Sequence, residues 1–148
     1  MSQRFDFWTN GIATIMESPE IAKLVQHRTD LGTVVEQDAN TQAWFHIPIP
    51  TPTIMESDTT IYLRVIALRA KLNENANIDR IHIRRGTDLI FDKAVSYTNT
   101  TVVYEENVPA QLMGQPSQLG LAMSIHVRFL SGQPRGRIEF KGAGAGFY

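Results

Sequence analysis

Four histidines, two tryptophans and fourteen lysines and arginines are the side chains from which this 148-residue chain could build a site. Three histidines sit off the apolar parity of alternating stretches. His46 stands between Phe45 and Ile47, His82 between Ile81 and Ile83, and His126 between Ile125 and Val127. Successive side chains of a strand point to opposite faces, so each imidazole would face away from the core. If the three strands were neighbours in one sheet the rings could meet, and three converging imidazoles are a competent zinc set. No H-E-x-x-H or similar local spacing accompanies them, and three separate solvent-facing residues would show the same parity. We assign no metal ligand and no cofactor. The same parity puts Trp44, Arg80, Arg84, Arg128 and Arg137 on outward faces. An aromatic ring beside guanidinium groups suits stacking on a sugar or contact with an acidic partner. It equally suits a subunit interface, where Trp and Arg are enriched. The candidate ligand- or partner-binding residues are therefore Trp8, Trp44, His46, Arg80, His82, Arg84, His126 and Arg128.

Other constellations offer less chemistry. The turn Asn73–Asp79 is rich in oxygen ligands, but it lacks the spacing and closing glutamate of a calcium loop, and Asn-rich turns form for backbone reasons. No glycine-rich loop follows a strand and opens a helix, which argues against Rossmann or P-loop nucleotide binding. Serine, histidine and aspartate are present without a G-x-S-x-G elbow. Glu105 and Glu106 are adjacent, so on a strand they face opposite ways and make a poor acid/base pair. No enzymatic activity is expected.

Positioning such side chains requires sheets, and the clearest strand is Leu119–Phe129, with Leu119, Leu121, Met123, Ile125, Val127 and Phe129 at every second position. Arg137–Lys141 alternates likewise after the loop 131–136, so the two read as a hairpin. A hairpin so apolar on one face needs a second layer. Asn10-Gly11 joins two apolar runs as a hairpin or a bent strand. Ser18-Pro19-Glu20 could cap a short helix with Ile21, Leu24 and Val25 on one face. Leu31–Glu36 reads as a short strand. In Trp44–Pro52, Pro48, Pro50 and Pro52 alternate and present their missing N–H groups to one side, as an edge strand or a rigid docking segment would. Thr59–Leu72 is a long strand whose apolar parity switches between Val65 and Leu68, which predicts a β-bulge near Ile66–Ala67. Ile78–Arg85, Leu89–Val95 and Val102–Glu105 are further strands, the last followed by a polar loop up to Ser117. The closing Gly142–Tyr148 is either a flat strand open to close backbone approach or a flexible end anchored by two aromatics.

The length suits one domain over residues 1–148. With 43% hydrophobic and 20% charged residues the composition is that of an ordinary globular protein, and without cysteine it excludes disulfides and thiolate chemistry. No signal peptide and no membrane-length apolar run is present, so a cytoplasmic address without membrane insertion is the expectation. Residues 1–60 hold 3 basic and 8 acidic side chains and residues 61–148 hold 11 and 7, so the halves carry −5 and +4. Halves lying side by side would neutralise each other. The arginines are spread over several strands with no Lys/Arg run, which gives no footprint for nucleic acid.

Together the strands predict an all-β, antiparallel, jelly-roll-like sandwich with at most one short helix. Four stretches carry a family resemblance: Phe7–Gly11, Trp44–Pro52, Ile78–Arg84, and His126–Gly136 with the closing Gly142–Ala145. The chain resembles a family of small, single-domain bacterial proteins with no assigned function. That resemblance implies a β-sandwich and no chemistry. The reading is a non-enzymatic interaction or assembly module, self-associating as a homo-oligomer or joined to a protein partner. The alternative is a lectin-like carbohydrate binder with Trp44 or Trp8 as its stacking platform and a glycan as ligand.

Overall fold

Alternating apolar residues become strands because one face of each can then be buried while the backbone pairs sideways. A computed structural model of the chain describes residues 5–51, 61–113 and 120–148. In order, the strands are β1 (Phe5–Asn10), β2 (Ile15–Met16), β3 (Ala22–Arg28), β4 (Gly32–Gln37), β5 (Thr41–Ile49) and β6 (Ile61–Leu72). They continue as β7 (Ala76–Arg85), β8 (Asp88–Thr98), β9 (Thr101–Met113), β10 (Leu121–Phe129) and β11 (Gly136–Phe147). One sheet has the order β3-β4-β11-β6-β9, with β1 also on β11; the other has the order β2-β5-β10-β7-β8. All pairings are antiparallel. The chain steps from one sheet to the other at most connections, which gives the jelly-roll-like sandwich expected. Phe45, Phe129, Phe140 and Phe147 are fully buried between the sheets, and the Phe45 and Phe140 rings meet across them at 4.9 Å. Among the described residues no helix is long and apolar enough to cross a membrane.

Several expectations need correction. The two strands read as a closing hairpin, β10 and β11, lie in opposite sheets, so the loop 130–135 crosses the core instead of turning back. Each has its apolar face toward the other across the interior, and alternation alone does not distinguish facing from pairing. Leu119 lies outside the described residues. The helix after Ser18 is only a 3-10 turn at Pro19–Ile21, while Leu24 and Val25 belong to β3. A two-turn helix has little to stabilise it, whereas the extended chain pairs with β4 from Ala22 opposite Gln37 to Arg28 opposite Gly32. The irregularity of β6 falls at Arg64 rather than at Ile66–Ala67, because β11 pairs Gly146 with Val65 and then Phe147 with Leu63. Outward Val65 and Ala67 are themselves buried, so the apolar run did not mark the parity switch. The polar segment after Glu105 continues β9 as far as Met113, with Pro109 tolerated on the outermost strand. Asn10-Gly11 is the bent alternative: β1 and β2 lie in different sheets.

The alternating prolines do mark a lightly paired side. Strand β5 pairs with β10 along its length, but on its other side only with β2, at His46 and Phe45. Pro48 lies beyond β2, where its missing N–H breaks no ladder bond. Pro52 lies outside the described residues. The tail is a strand, and a central one. Strand β4 pairs with Gly136–Phe140 of β11, β1 takes over at Gly142–Phe147, and β6 covers the opposite side. This tail cannot serve as a free docking element without dismantling the sheet.

Candidate functional site

Seven of the eight candidate residues share the outer face of the five-stranded sheet. Register places them in rows across β5, β10 and β7. Trp44 is opposite His126, which is opposite Arg80; His46 is opposite Ser124, which is opposite His82. Strand β8 extends the second row with Asp92 opposite His82. The half-buried Trp44 indole lies 4.7 Å from the His82 ring and 4.9 Å from the His126 ring. Arg84 sits one row further, donating to the Thr87 carbonyl at 3.0 Å, and the exposed Arg128 one row the other way, opposite Gln42.

The rings meet around Trp44 instead of around an ion. Each imidazole is held by a different partner: His46 Nδ1 lies 2.8 Å from Ser124 Oγ, and His126 Nδ1 lies 2.6 Å from Asp79 Oδ1. His82 Nε2 is 3.2 Å from Asp92 Oδ1 but off the line of a hydrogen bond, so this buried nitrogen has no aligned partner. Both oxygens of Asp92 instead accept from Arg80 Nη1, at 2.7 and 2.8 Å. Among the described residues no group of three or more His, Asp or Glu is arranged to hold a metal. The Asn73–Asp79 turn is likewise occupied internally, with Asn73 Oδ1 accepting from the Asn75 and Arg137 amides and Asp79 held by His126.

One line of groups has the composition of a nucleophilic triad: Ser124, His46 and Glu17, whose Oε1 is 3.6 Å from His46 Nε2. Acyl transfer needs an accessible hydroxyl and free N–H groups aimed at a developing oxyanion. Ser124 is 2% exposed and lies mid-strand with β5 on one side and β7 on the other, so its amide belongs to the sheet. The line ties the chain just after β2 to β5 and β10.

Burial is the main cause that lowers the His82 pKa below 6.5; Arg84 and Arg80 act in the same direction and Asp92 opposes them. A folded-state histidine with a lowered pKa binds fewer protons than its unfolded counterpart just below 6.5. Its contribution to stability is therefore complete above that pH and is lost as the pH falls from 6.5 toward the folded value. Thermal unfolding from pH 8 to pH 5 is expected to give a steeper fall for the parent than for His82→Gln below 6.5. Parallel curves would refute this.

The eighth candidate, Trp8, stands on the outer face of the six-stranded sheet. Its neighbour Phe7 turns inward, 5.9 Å from Phe147, while Trp8 is 52% exposed. Over residues 142–147 the outward positions of β11 are Gly142, Gly144 and Gly146, and the inward ones Ala143, Ala145 and Phe147. This second half of β11 is thus bare on its outer side. Trp8 pairs with Gly144, and a Cβ added there would come within 2.7 Å of Trp8 Cδ2 and 2.9 Å of Cε3. The indole occupies the space that a side chain would need. On β6, Arg69 brings its guanidinium to 5.2 Å from the indole centroid, while its Nη1 donates to the Leu68 and Tyr104 carbonyls at 3.1 and 3.0 Å. Beside the indole a pocket of about 230 Å³ is lined by Asp6, Trp8, Val65, Ala67, Glu105 and Gly146 among others. Asp6, Glu105 and Arg69 were not among the residues expected at a site. The signal was the Gly-Ala-Gly-Ala-Gly alternation, which leaves one face of a strand without side chains; which tryptophan would cover it depends on the β1–β11 pairing.

No family model matches the sequence, and no curated protein matches it. Among solved structures, the chain is similar to the xylan-binding module CBM15, at 13% identity over 98% of this chain and 96% of that one, with a TM-score of 0.48. It is also similar to the CBM36-1 domain of a multidomain xylanase from the hindgut metagenome of Trinervitermes trinervoides, at 9% identity over 97% and 96% of the two chains and a TM-score of 0.44. A carbohydrate-binding module CBM36 in complex with calcium and xylotriose gives 9% identity over 92% and 96%, with a TM-score of 0.43. At these identities the likeness is one of strand layout, and no residue role is transferred from it.

Proposed function

We propose that this chain is a non-enzymatic β-sandwich module that binds carbohydrate on the outer face of its six-stranded sheet, with Trp8 as the stacking platform. The observation that carries the reading is the half-exposed Trp8 indole held at the bare Gly144 position, beside a pocket with two carboxylates. A sugar ring presents C–H groups on a face and hydroxyls at its rim. An aromatic surface takes the first and polar groups at its edge take the second, which is the usual division of labour in a small-molecule site. Rigidity adds to this, because an indole already fixed by β11 and Arg69 loses little freedom when it is covered.

The same observations weigh against the assembly reading. Of its three warrants, the proline-guarded edge stands, but in the outward Trp/Arg face Trp44 packs against two histidine rings, and the small-residue tail is the centre of a sheet.

The test is a titration of intrinsic tryptophan fluorescence with neutral oligosaccharides built on glucose, xylose, mannose and galactose. Trp8→Ala is expected to weaken binding by roughly 30-fold or more, the scale of a buried aromatic anchor worth about 2 kcal/mol. Its thermal stability should change by less than about 1 kcal/mol, since the side chain is half in water and loses mainly its stacking on Arg69. Trp44→Phe should leave binding unchanged. A flat response of the parent protein to every sugar would remove the reading.

A further inference from the structure

We infer that the seam between β2 and β3 is a second ligand site, fitted to a small neutral ring compound with one hydrogen-bond donor, such as a phenol. Its pocket shares no residue with the one beside Trp8, and the inference does not depend on the carbohydrate reading.

The two sides of the sandwich are finished differently. On one side the sheets end at β8 and β9, and side chains close the gap between them. Lys93 Nζ donates to Glu106 Oε1 at 2.8 Å, and the Tyr97 and Tyr104 rings meet edge-to-face at 6.3 Å. On the other side the strand orders end at β3 and at the two-residue β2. A pocket of about 370 Å³ opens there, lined by Ile12, Ile15, Met16, Val25 and the buried Phe45 among others. That volume is within the range of small-molecule sites, about 300–1,000 Å³. Ile12, Ile15 and Val25 are three of the six large apolar side chains that stand exposed among the described residues. Apolar side chains gathered in water around a hollow mark a place for an apolar group.

The polar part of the lining narrows the choice of compound. It consists of Thr14, His27 and Thr33. Both threonine hydroxyls donate to the Gly11 carbonyl, at 2.6 and 2.7 Å. His27 Nδ1 lies 3.1 Å from the Ile12 carbonyl oxygen, which can only accept. It also lies 2.9 Å from Thr33 Oγ1, whose one hydrogen is already given. The hydrogen of the neutral imidazole therefore sits on Nδ1, and Nε2 keeps a lone pair. Among the described residues nothing is bonded to this Nε2. The contacts through Nδ1 also hold the ring, so the position of Nε2 is set before a ligand arrives. No hydrogen on these three side chains is left to give. A ligand here is met by acceptors, which suits an O–H or N–H and disfavours an anion. An added strand fits less well, because the open edge of β3 carries Lys23 and Arg28, charges of the kind that keep edges from pairing.

The experiment is a titration of the full chain at pH 8 with p-cresol and with 4-methylanisole, the same ring with its hydroxyl capped by a methyl. Binding is read from the methyl NMR signals of Ile12, Ile15 and Met16. The cresol is expected to shift these signals and to bind about fivefold tighter than the ether, the scale of one neutral hydrogen bond. His27→Phe keeps a ring and removes the acceptor, and should bring the two affinities to within about twofold. Ile15→Ser, at an exposed position, should melt like the parent and weaken both compounds by roughly threefold. Trp8→Ala should leave cresol binding unchanged. If the phenylalanine variant does not fold, the comparison of cresol with ether in the parent and Ile15→Ser decides. Silence of the three methyl signals up to the solubility limit of the cresol overturns the inference. So does equal affinity of the parent for both compounds, or a preference that survives His27→Phe. Shifts of the same signals on dilution, with a dimer in light scattering, would assign the seam to a second copy of the chain and overturn it as well.

Discussion

Gly11→Ala is expected to cost the protein most of its stability. Gly11 is buried where the chain passes from β1 to β2, and an added Cβ would overlap the carbonyl oxygen of Phe140 and come within 2.8 Å of the Lys141 carbonyl carbon. These are main-chain atoms of the central strand β11, so no side-chain rotation relieves the overlap. Relief would require moving the 3-10 turn at Gly11–Ala13, whose first carbonyl is a junction. Gly11 O accepts from Thr14 N at 3.1 Å, Thr14 Oγ1 at 2.6 Å and Thr33 Oγ1 at 2.7 Å. His27 Nδ1 lies 2.9 Å from Thr33 Oγ1 and 3.1 Å from the Ile12 carbonyl. Since Thr33 Oγ1 donates to Gly11, it accepts from His27, and displacing the turn breaks the chain of bonds that fastens β3 and β4 to it. Overpacking against fixed backbone falls at the upper end of its usual range, about 3 kcal/mol or more. For a chain of this length that is a fall in melting temperature on the order of 10 °C. Gly120→Ala, with no atom of the described residues within 4 Å of the added methyl, is the matched control and should melt like the parent. Equal melting temperatures for both variants would show that β11 yields where the packing says it cannot.

Gly144→Ala is the second large effect, and it strikes stability and ligand binding together. The added methyl would stand 2.7 Å from Trp8 Cδ2 and 2.8 Å from the Phe7 carbonyl oxygen. The indole can swing aside but the carbonyl cannot, so a loss of roughly 1–3 kcal/mol is expected even after the ring has moved. Moving the ring dismantles the platform, and sugar binding should fall as far as in Trp8→Ala. A double-mutant cycle separates the two contributions. With Trp8→Ala already in place, Gly144→Ala should cost less stability than it does alone, because only the clash with Phe7 remains, and it should cause no further loss of binding. Full additivity in stability would mean that indole and glycine are not in contact, and the platform would then have no rigid support.

Much of the fold is legible in the order of the residues. Leu121, Met123, Ile125, Val127 and Phe129 had to face a core, and so did Phe45, Ile47, Ile81 and Ile83; all are buried. The outward parity of Trp44, His46, His82 and His126 is equally readable, and these residues do share one face. What that face does is not readable. Two of its imidazoles are tied to partners one strand away in space but far along the chain: Ser124 is 78 positions from His46, and Asp79 is 47 from His126. Asp92 is closer in sequence to His82, yet it reaches the ring because β7 and β8 fold back on each other, not through any local spacing.

Alternation with a period of two is a property of one strand, decided by its own side chains and the water they avoid. It therefore specified two packed sheets, the inward residues and the bare outer side of Gly142–Gly146. Which strand lies beside which is decided by burial summed over the whole chain, and a strand's own pattern is the same whether its neighbour is paired with it or faces it across the core. That is why β10 and β11 read as a hairpin and are not one, and why the tail read equally as a flat strand or a flexible end and is the centre of a sheet. It is also why Trp8, at the start of the chain, and Gly144, near its end, come together only when β1 pairs with β11. The residues of a binding surface are written in the sequence; their meeting on one face is decided by the tertiary structure, because only packing brings distant backbones into register.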